Sequence, residues 1–178
     1  NFAIGESGTV TYVGGVSTPA GFNGQIASGQ GFFVRANGGG NVTFQESHKS
    51  PGQATFIRKG EIPNVLQITM KHKETVDYAA VRVADEATDG FDGNLDAYKF
   101  DASALSISTL SKGAKDTLAI NSVSRSLCEG SIPVYISGAA VGNYTLEFSG
   151  FESFESGITP VLFDKVENKV IEIADAPK

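Results

Sequence analysis

The 178-residue sequence has no tryptophan, one cysteine, one methionine and two histidines. The single cysteine, Cys128, excludes an intrachain disulfide framework, so the fold must be held together by its core. Two histidines are too few for a typical His-rich zinc site. Without tryptophan, any aromatic surface that binds a sugar must be built from tyrosine or phenylalanine.

Long apolar runs and clusters of basic residues are also missing. No run approaches the ~18 apolar residues that a membrane-spanning helix needs, so we expect no membrane insertion. The formal charge is −6 and Lys and Arg do not cluster. Because phosphate contacts need grouped cations, this charge pattern argues against nucleic acid as a partner. No signal-peptide pattern opens the chain, and its start at Asn1 favours an excised or mature piece of a longer precursor.

The residues that are abundant favour strands and tight turns: 21 glycines occur with many Thr, Ser, Val and Phe. The strongest pattern is the alternation in Val65–His72 and Val76–Val83, which predicts an antiparallel hairpin that turns at residues 73–75. Turn residues recur about every 8–12 positions, as in β-sandwiches. We therefore predict one all-β domain over residues 1–173, a jelly-roll-like antiparallel β-sandwich of roughly ten or more short strands. Residues 174–178 are interpreted as the start of a linker.

Further strands follow from shorter alternating segments. Pro133 cannot donate to a strand ladder, so its segment should be an edge strand or the start of a strand. Residues 26–36 and 42–45 are predicted to form a hairpin with a flexible tip at residues 37–40. The remaining predicted strands are 9–13, 54–58, 98–100, 105–110, 117–121, 132–136, 143–148, and a final hairpin of 161–165 with 169–173.

Residues 85–100, here called the acidic loop, contain five carboxylates, one amide and two glycines. Calcium takes about six to eight oxygen ligands, and such a loop could supply them together with backbone carbonyls. The candidate ligands are Asp89, Asp92, Asn94 and Asp96. The spacing departs from an EF-hand because no glutamate closes it. The alternative is a loop without metal, whose Asp side chains accept backbone N–H bonds and in which one carboxylate pairs with Arg82 or Lys99. The expected cofactor is thus none, or calcium.

The sequence also contains candidate residues for a sugar-binding surface and for a catalytic site. A sugar-binding surface could use aromatic side chains, and the candidates are Tyr12, Tyr144, Phe151 and Phe154. The alternative is that they belong to the core, where phenylalanines in strands usually lie. His48 and His72 lack the Ser or Cys motif of a nucleophilic site, which favours surface histidines. A pair of carboxylates across a cleft, as in a glycoside hydrolase, is compatible with so many Asp and Glu residues.

Three segments together resemble a known family: Ile26–Ala36, Ala87–Lys99 and Val161–Lys165. They resemble, in this order, the β-rich module that precedes the C-terminal sorting domain in surface proteins of Bacteroidota exported by the type IX system. The resemblance implies an extracellular or cell-surface location within a longer protein, and it implies no catalytic residues.

We therefore expect a non-catalytic structural or adhesive module of an exported surface protein. Its expected partners are other domains of the same longer protein, with surface or extracellular polysaccharide as the alternative partner. The alternative is a carbohydrate-binding module, and a glycoside hydrolase is the third possibility.

Overall fold

Strands are the only regular elements longer than a single 3₁₀ turn in the part of the chain that the structure describes. This computed structural model describes residues 2–5, 9–18, 20–22, 24–26, 32–34, 38, 41–50, 63–100, 105–113, 117–127, 130–138 and 140–173. Its strands are β1 (Phe2–Gly5), β2 (Thr9–Val13), β3 (Val16–Thr18), β4 (Phe33–Val34), β5 (Val65–His72), β6 (Thr75–Ala84), β7 (Ala97–Tyr98), β8 (Ser106–Thr109), β9 (Leu118–Ser124), β10 (Val134–Ser137), β11 (Thr145–Ser149), β12 (Val161–Asp164) and β13 (Lys169–Glu172). The prediction of an all-β fold with ten or more short strands is confirmed.

The strands form two main sheets and a separate hairpin. The four-stranded sheet has the order β3-β2-β1-β4, and the seven-stranded sheet has the order β10-β8-β9-β6-β5-β11, with β7 paired to β9. Strands β12 and β13 pair only with each other in this arrangement. All pairs are antiparallel except β6 with β9, which run parallel.

The hairpin with the strongest alternation forms as predicted, and a second one, of which only the first strand was predicted, lies in the small sheet. Strands β5 and β6 pair from Val65↔Arg82 to His72↔Thr75, and Lys73 takes a positive φ of 52° in the tight turn. The hairpin of β2 and β3 turns at Gly14 and Gly15, both with positive φ. In each hairpin a short turn sets the register, and local sequence specifies such turns well.

Apolar side chains cover both faces of the seven-stranded sheet. On one face Val65, Ala80 and Ile120 pack against Val13 and Val16 of the smaller sheet. This packing makes the two sheets a sandwich. The opposite face holds the larger cluster, whose buried members are Leu66, Ile68, Met70, Ala79, Val81, Leu105, Ile107, Val123 and Ile173. Leu162 of β12 also packs against this cluster, so the final hairpin covers part of that face.

Two strand predictions differ from the structure. Residues 42–45 form no strand, and β4 pairs with β1 instead. Phe44 is 66% exposed, so this segment has no buried face to order it as a strand. The parallel β6–β9 pair was not expected either. Parallel strands need a long crossover connection, and the acidic loop with β7 and β8 supplies it.

Several predictions lie outside the described residues. These are the strand at 54–58, the linker at 174–178 and most of the Ile26–Ala36 segment. The prediction for Pro133 is confirmed, because β10 starts at the next residue and lies at the edge of the large sheet.

Candidate functional site: the acidic loop

The acidic loop follows β6 and is ordered by its own side chains. The Asp92 carboxylate accepts hydrogen bonds from Thr88 N–H (2.6 Å) and from the Thr88 hydroxyl (3.0 Å), both at Oδ2. The backbone N–H groups of Leu95 and Asp96 donate to the Asp92 carbonyl at 2.9 and 2.7 Å. Short polar side chains that cap nearby backbone amides are typical of tight turns, and here they close the loop on itself.

Asp96 is the buried centre of the loop. Its side chain is 0% exposed. Oδ2 accepts from Asp92 N–H at 2.7 Å, and Oδ1 accepts from Ser122 N–H at 2.6 Å. Burial raises the pKa of this carboxyl, while the two N–H bonds act in the opposite direction. Both oxygens are therefore engaged with the backbone, one within the loop and one on strand β9.

The loop contacts both sheets. On the large sheet, the Ser122 hydroxyl donates to the Leu95 carbonyl (3.0 Å) and the Ser124 hydroxyl donates to Asp89 Oδ1 (2.8 Å). On the small sheet, Gly14 lies so close that a Cβ there would be 3.0 Å from the Asn94 carbonyl oxygen. Gly14 also has a φ of +53°, so glycine is favoured there on two grounds. The loop thus joins the two layers of the sandwich.

Arginines pair with the carboxylates at the start of the loop. Arg82 Nη2 lies 2.9 Å from Glu86 Oε1, the pairing of a loop carboxylate with Arg82 that was expected for a loop without metal. Arg125, which follows β9, bridges Asp85 (2.7 Å) and Glu155 (2.9 Å). This pairing, together with the Asn64 amide, lowers the pKa of Glu155. The same two carboxylates raise the pKa of Arg125. The bridge connects the loop to the turn that follows β11.

A buried ion pair at the end of the loop was missed from sequence. Lys99 Nζ lies 2.8 Å from Asp77 Oδ1 and 2.8 Å from the Tyr78 carbonyl. Asp77 Oδ2 accepts from Ile107 N–H at 2.7 Å. The Lys99 and Asp77 side chains are only 9% and 16% exposed. A signal was present, because Asp77 is a charged residue on the strand face that it shares with the buried Ala79 and Val81.

The hydrogen bonds of the loop bear on whether its four candidate ligands could bind calcium. Asp92 and Asp96 direct oxygens to backbone N–H groups, and Asp89 accepts from Ser124. Asn94 is exposed. Within the described ranges, no three His, Cys, Asp or Glu side chains lie close enough together to hold a metal ion. The geometry matches the alternative of a loop bonded to its own backbone, and calcium binding stays an untested alternative.

The four aromatic candidates do not lie together. Tyr12 is in the small sheet, where its ring meets Phe22 edge to face at 5.6 Å. The other three, Tyr144, Phe151 and Phe154, pack against the large apolar cluster. The Tyr144 hydroxyl donates to the Ala140 carbonyl at 2.7 Å. Sugar binding by these residues stays a prediction, and their arrangement is that of side chains packed against a core.

Both histidines bond within the chain. His72 Nδ1 lies 2.8 Å from the Asn143 carbonyl, and its ring stacks on Tyr144 at 4.4 Å. His48 Nδ1 accepts from Gln45 N–H at 3.3 Å in a 3₁₀ turn, where the residue is exposed. The His72 ring therefore links the end of β5 to the residues before β11, and the His48 ring bonds within its own 3₁₀ turn.

These features define a β-sandwich module in which an acidic loop, bonded to its own backbone, joins the layers. Residues 1–177 match a family model described as Domain of unknown function (DUF8693), and the chain belongs to that family. No curated protein and no solved structure matches the sequence. Among the helical segments that the structure describes, none is long and apolar enough to cross a membrane.

Proposed function

We propose that this chain is a non-catalytic structural or adhesive module of an exported cell-surface protein. The observation that carries the proposal is the burial of Asp96, whose two oxygens accept N–H bonds from Asp92 and Ser122. A carboxylate used in this way holds the loop against strand β9 and is withdrawn from solvent. It therefore supports a module that keeps its shape, which is what a domain within a longer surface protein needs.

The side chains that could act as a general acid or base support the same proposal. His72 is stacked on Tyr144 and bonded to the backbone, and Asp77 is paired with Lys99. A general acid or base must reach a substrate proton within about 2.6–3.2 Å. For His72 and Asp77, the groups at such distances are partners within the chain.

The proposed location rests on the resemblance of Ile26–Ala36, Ala87–Lys99 and Val161–Lys165 to modules of type IX-exported surface proteins. On this proposal the chain works beside other domains of one longer protein, outside the cell. Labelling of intact cells with an antibody to this chain tests the location. Signal only after the cells are lysed would contradict it.

Affinity electrophoresis tests the function. The chain is run through gels that contain one surface or extracellular polysaccharide each, beside a reference protein that binds no glycan. We expect equal mobility with and without glycan. Reproducible retardation by one glycan would instead establish the carbohydrate-binding alternative. Incubation with the same glycans and a reducing-sugar assay tests the hydrolase alternative, and time-dependent release of reducing ends would overturn the non-catalytic proposal.

A further inference from the structure

Strand β10 is an edge strand with apolar side chains on both of its faces. It pairs with β8 on one side, from Val134↔Thr109 to Ser137↔Ser106. The described part of the chain places no strand on its other side. Val134, Tyr135 and Ile136 are 39%, 49% and 41% exposed. Because successive side chains of a strand point to opposite faces, both faces of β10 are partly exposed.

Charge, one of the usual protections of an edge, is missing from this strand, which is short and preceded by Pro133. Natural edge strands commonly carry charged residues, which discourage pairing with another chain. The sequence from Ser131 to Gly142 contains no Asp, Glu, Lys or Arg. The opposite edge of the same sheet differs, because Glu147 of β11 pairs with Lys71 at 2.7 Å. The free edge at β10 is thus uncharged, apolar and formed by strand-favouring residues.

We propose that β10 pairs antiparallel with β10 of a second copy of this chain, about a two-fold axis. The net charge of −6 makes most surfaces of two copies repel each other, whereas the β10 segments meet without charge. An antiparallel arrangement with the axis beside Tyr135 places the two Tyr135 side chains opposite each other and each Val134 opposite the other copy's Ile136. Two aromatic residues are a favourable cross-strand pair, and the two-fold axis makes the apolar contact of Val134 with Ile136 twice. The two large sheets then become one continuous sheet.

The strength of this pairing follows from its size. Stable protein interfaces bury roughly 1,200–2,000 Å². A four-residue strand and its neighbours bury less, so the dimer should dissociate on dilution. On a cell surface, where copies are held close together, a weak contact of this kind is strengthened by the high local concentration.

Sedimentation velocity over a range of about 5–500 µM tests the proposal, since a weak dimer dissociates in this range. We expect the weight-average mass to rise from that of a monomer toward twice that value. Ile136→Lys puts a positive charge beside the axis in both copies and should abolish the rise. Val141→Lys is the matched control: it makes the same change in charge at a side chain that is 107% exposed and outside the strand, and it should leave the rise intact.

Hydrogen exchange of the wild-type chain gives a second readout that needs no variant. Outward-facing amides of β10 should exchange more slowly at high protein concentration, while those of edge strand β11 should not change. Three results would overturn the proposal: a monomer at every concentration, self-association that persists in Ile136→Lys, or equal loss of association in Val141→Lys. The two substitutions are compared only if each variant is folded and melts at the wild-type temperature. If one of them unfolds, the hydrogen-exchange result alone supports or overturns the proposal.

Discussion

The acidic loop makes a prediction that two nearly identical substitutions should have different effects. Asp96 uses both carboxylate oxygens, one for Asp92 N–H and one for Ser122 N–H. Asp92 uses one oxygen, Oδ2, for both of its bonds to Thr88. An asparagine offers one carbonyl oxygen and one NH₂ group. It can therefore replace Asp92 with its oxygen toward Thr88, but at position 96 the NH₂ must face a backbone N–H.

The magnitude follows from the burial of that N–H. A buried donor left without an acceptor costs about 1–3 kcal/mol. Asp96→Asn also removes the cost of burying a charge, which offsets part of the loss. We expect Asp96→Asn to lower the free energy of unfolding by an amount in the lower half of that range. For a chain of this length, each kcal/mol lowers the melting temperature by about 2–4 °C. Asp92→Asn should stay within ~0.5 kcal/mol, as most changes at accessible positions do.

Urea denaturation of the two variants and the wild type measures the difference. Asp92→Ala provides a further comparison: it removes the acceptor altogether and should exceed the ~0.5 kcal/mol of an ordinary surface change. Equal stability of Asp96→Asn and Asp92→Asn would refute the reasoning, since it would mean that the second oxygen of Asp96 contributes nothing. A melting temperature unaltered by Asp92→Ala would show that the hydrogen bonds from Thr88 to the Asp92 carboxylate are not needed to stabilise the loop.

Three further predictions concern calcium, burial and pH. Thermal melts in EDTA and in millimolar calcium should agree, because the loop oxygens already accept N–H bonds; stabilisation near ~2.7 kcal/mol at 100 times the dissociation constant would show that calcium binds. Asp77→Asn should cost about 3 kcal/mol by breaking the buried pair with Lys99, whereas Glu147→Gln, in an exposed pair, should cost less than ~1 kcal/mol; equal costs would contradict the role of burial. Arg125 lowers the pKa of Glu155 in the folded chain below its ordinary 4.5. The stabilisation from this ion pair is therefore fully present above about pH 4.5 and is lost as the pH falls through the lowered pKa. The advantage of wild type over Glu155→Gln in urea melts should therefore shrink between about pH 7 and pH 3, and a constant difference would exclude the linkage.

The sequence predicted best the elements whose order depends on near neighbours. Strands β5 and β6 are joined by two residues, and alternation in each strand marks the face that packs into the core. The hairpin of β12 and β13 was predicted for the same reason. Segment 42–45 shows the limit of this reasoning. It has the composition of a strand, but its side chains are exposed, so no burial of an apolar face orders it beside β4.

The partners of the acidic loop could not be read from the sequence, because they are distant along the chain. Ser122 is 26 residues from Asp96, and Ser124 is 35 residues from Asp89. Both serines lie on β9 at positions two apart, so they share the face that receives the loop. A serine in a strand is compatible with many surroundings, and these two are brought under the loop by the pairing of β9 with β6 and with β7. A charged residue on an apolar strand face is more informative. Asp77 lies on the face of Ala79 and Val81, and a carboxylate in such a place requires a cation or several N–H donors. The structure supplies both, through Lys99 and Ile107. For this fold, the positions that break the apolar alternation therefore indicate where distant segments meet.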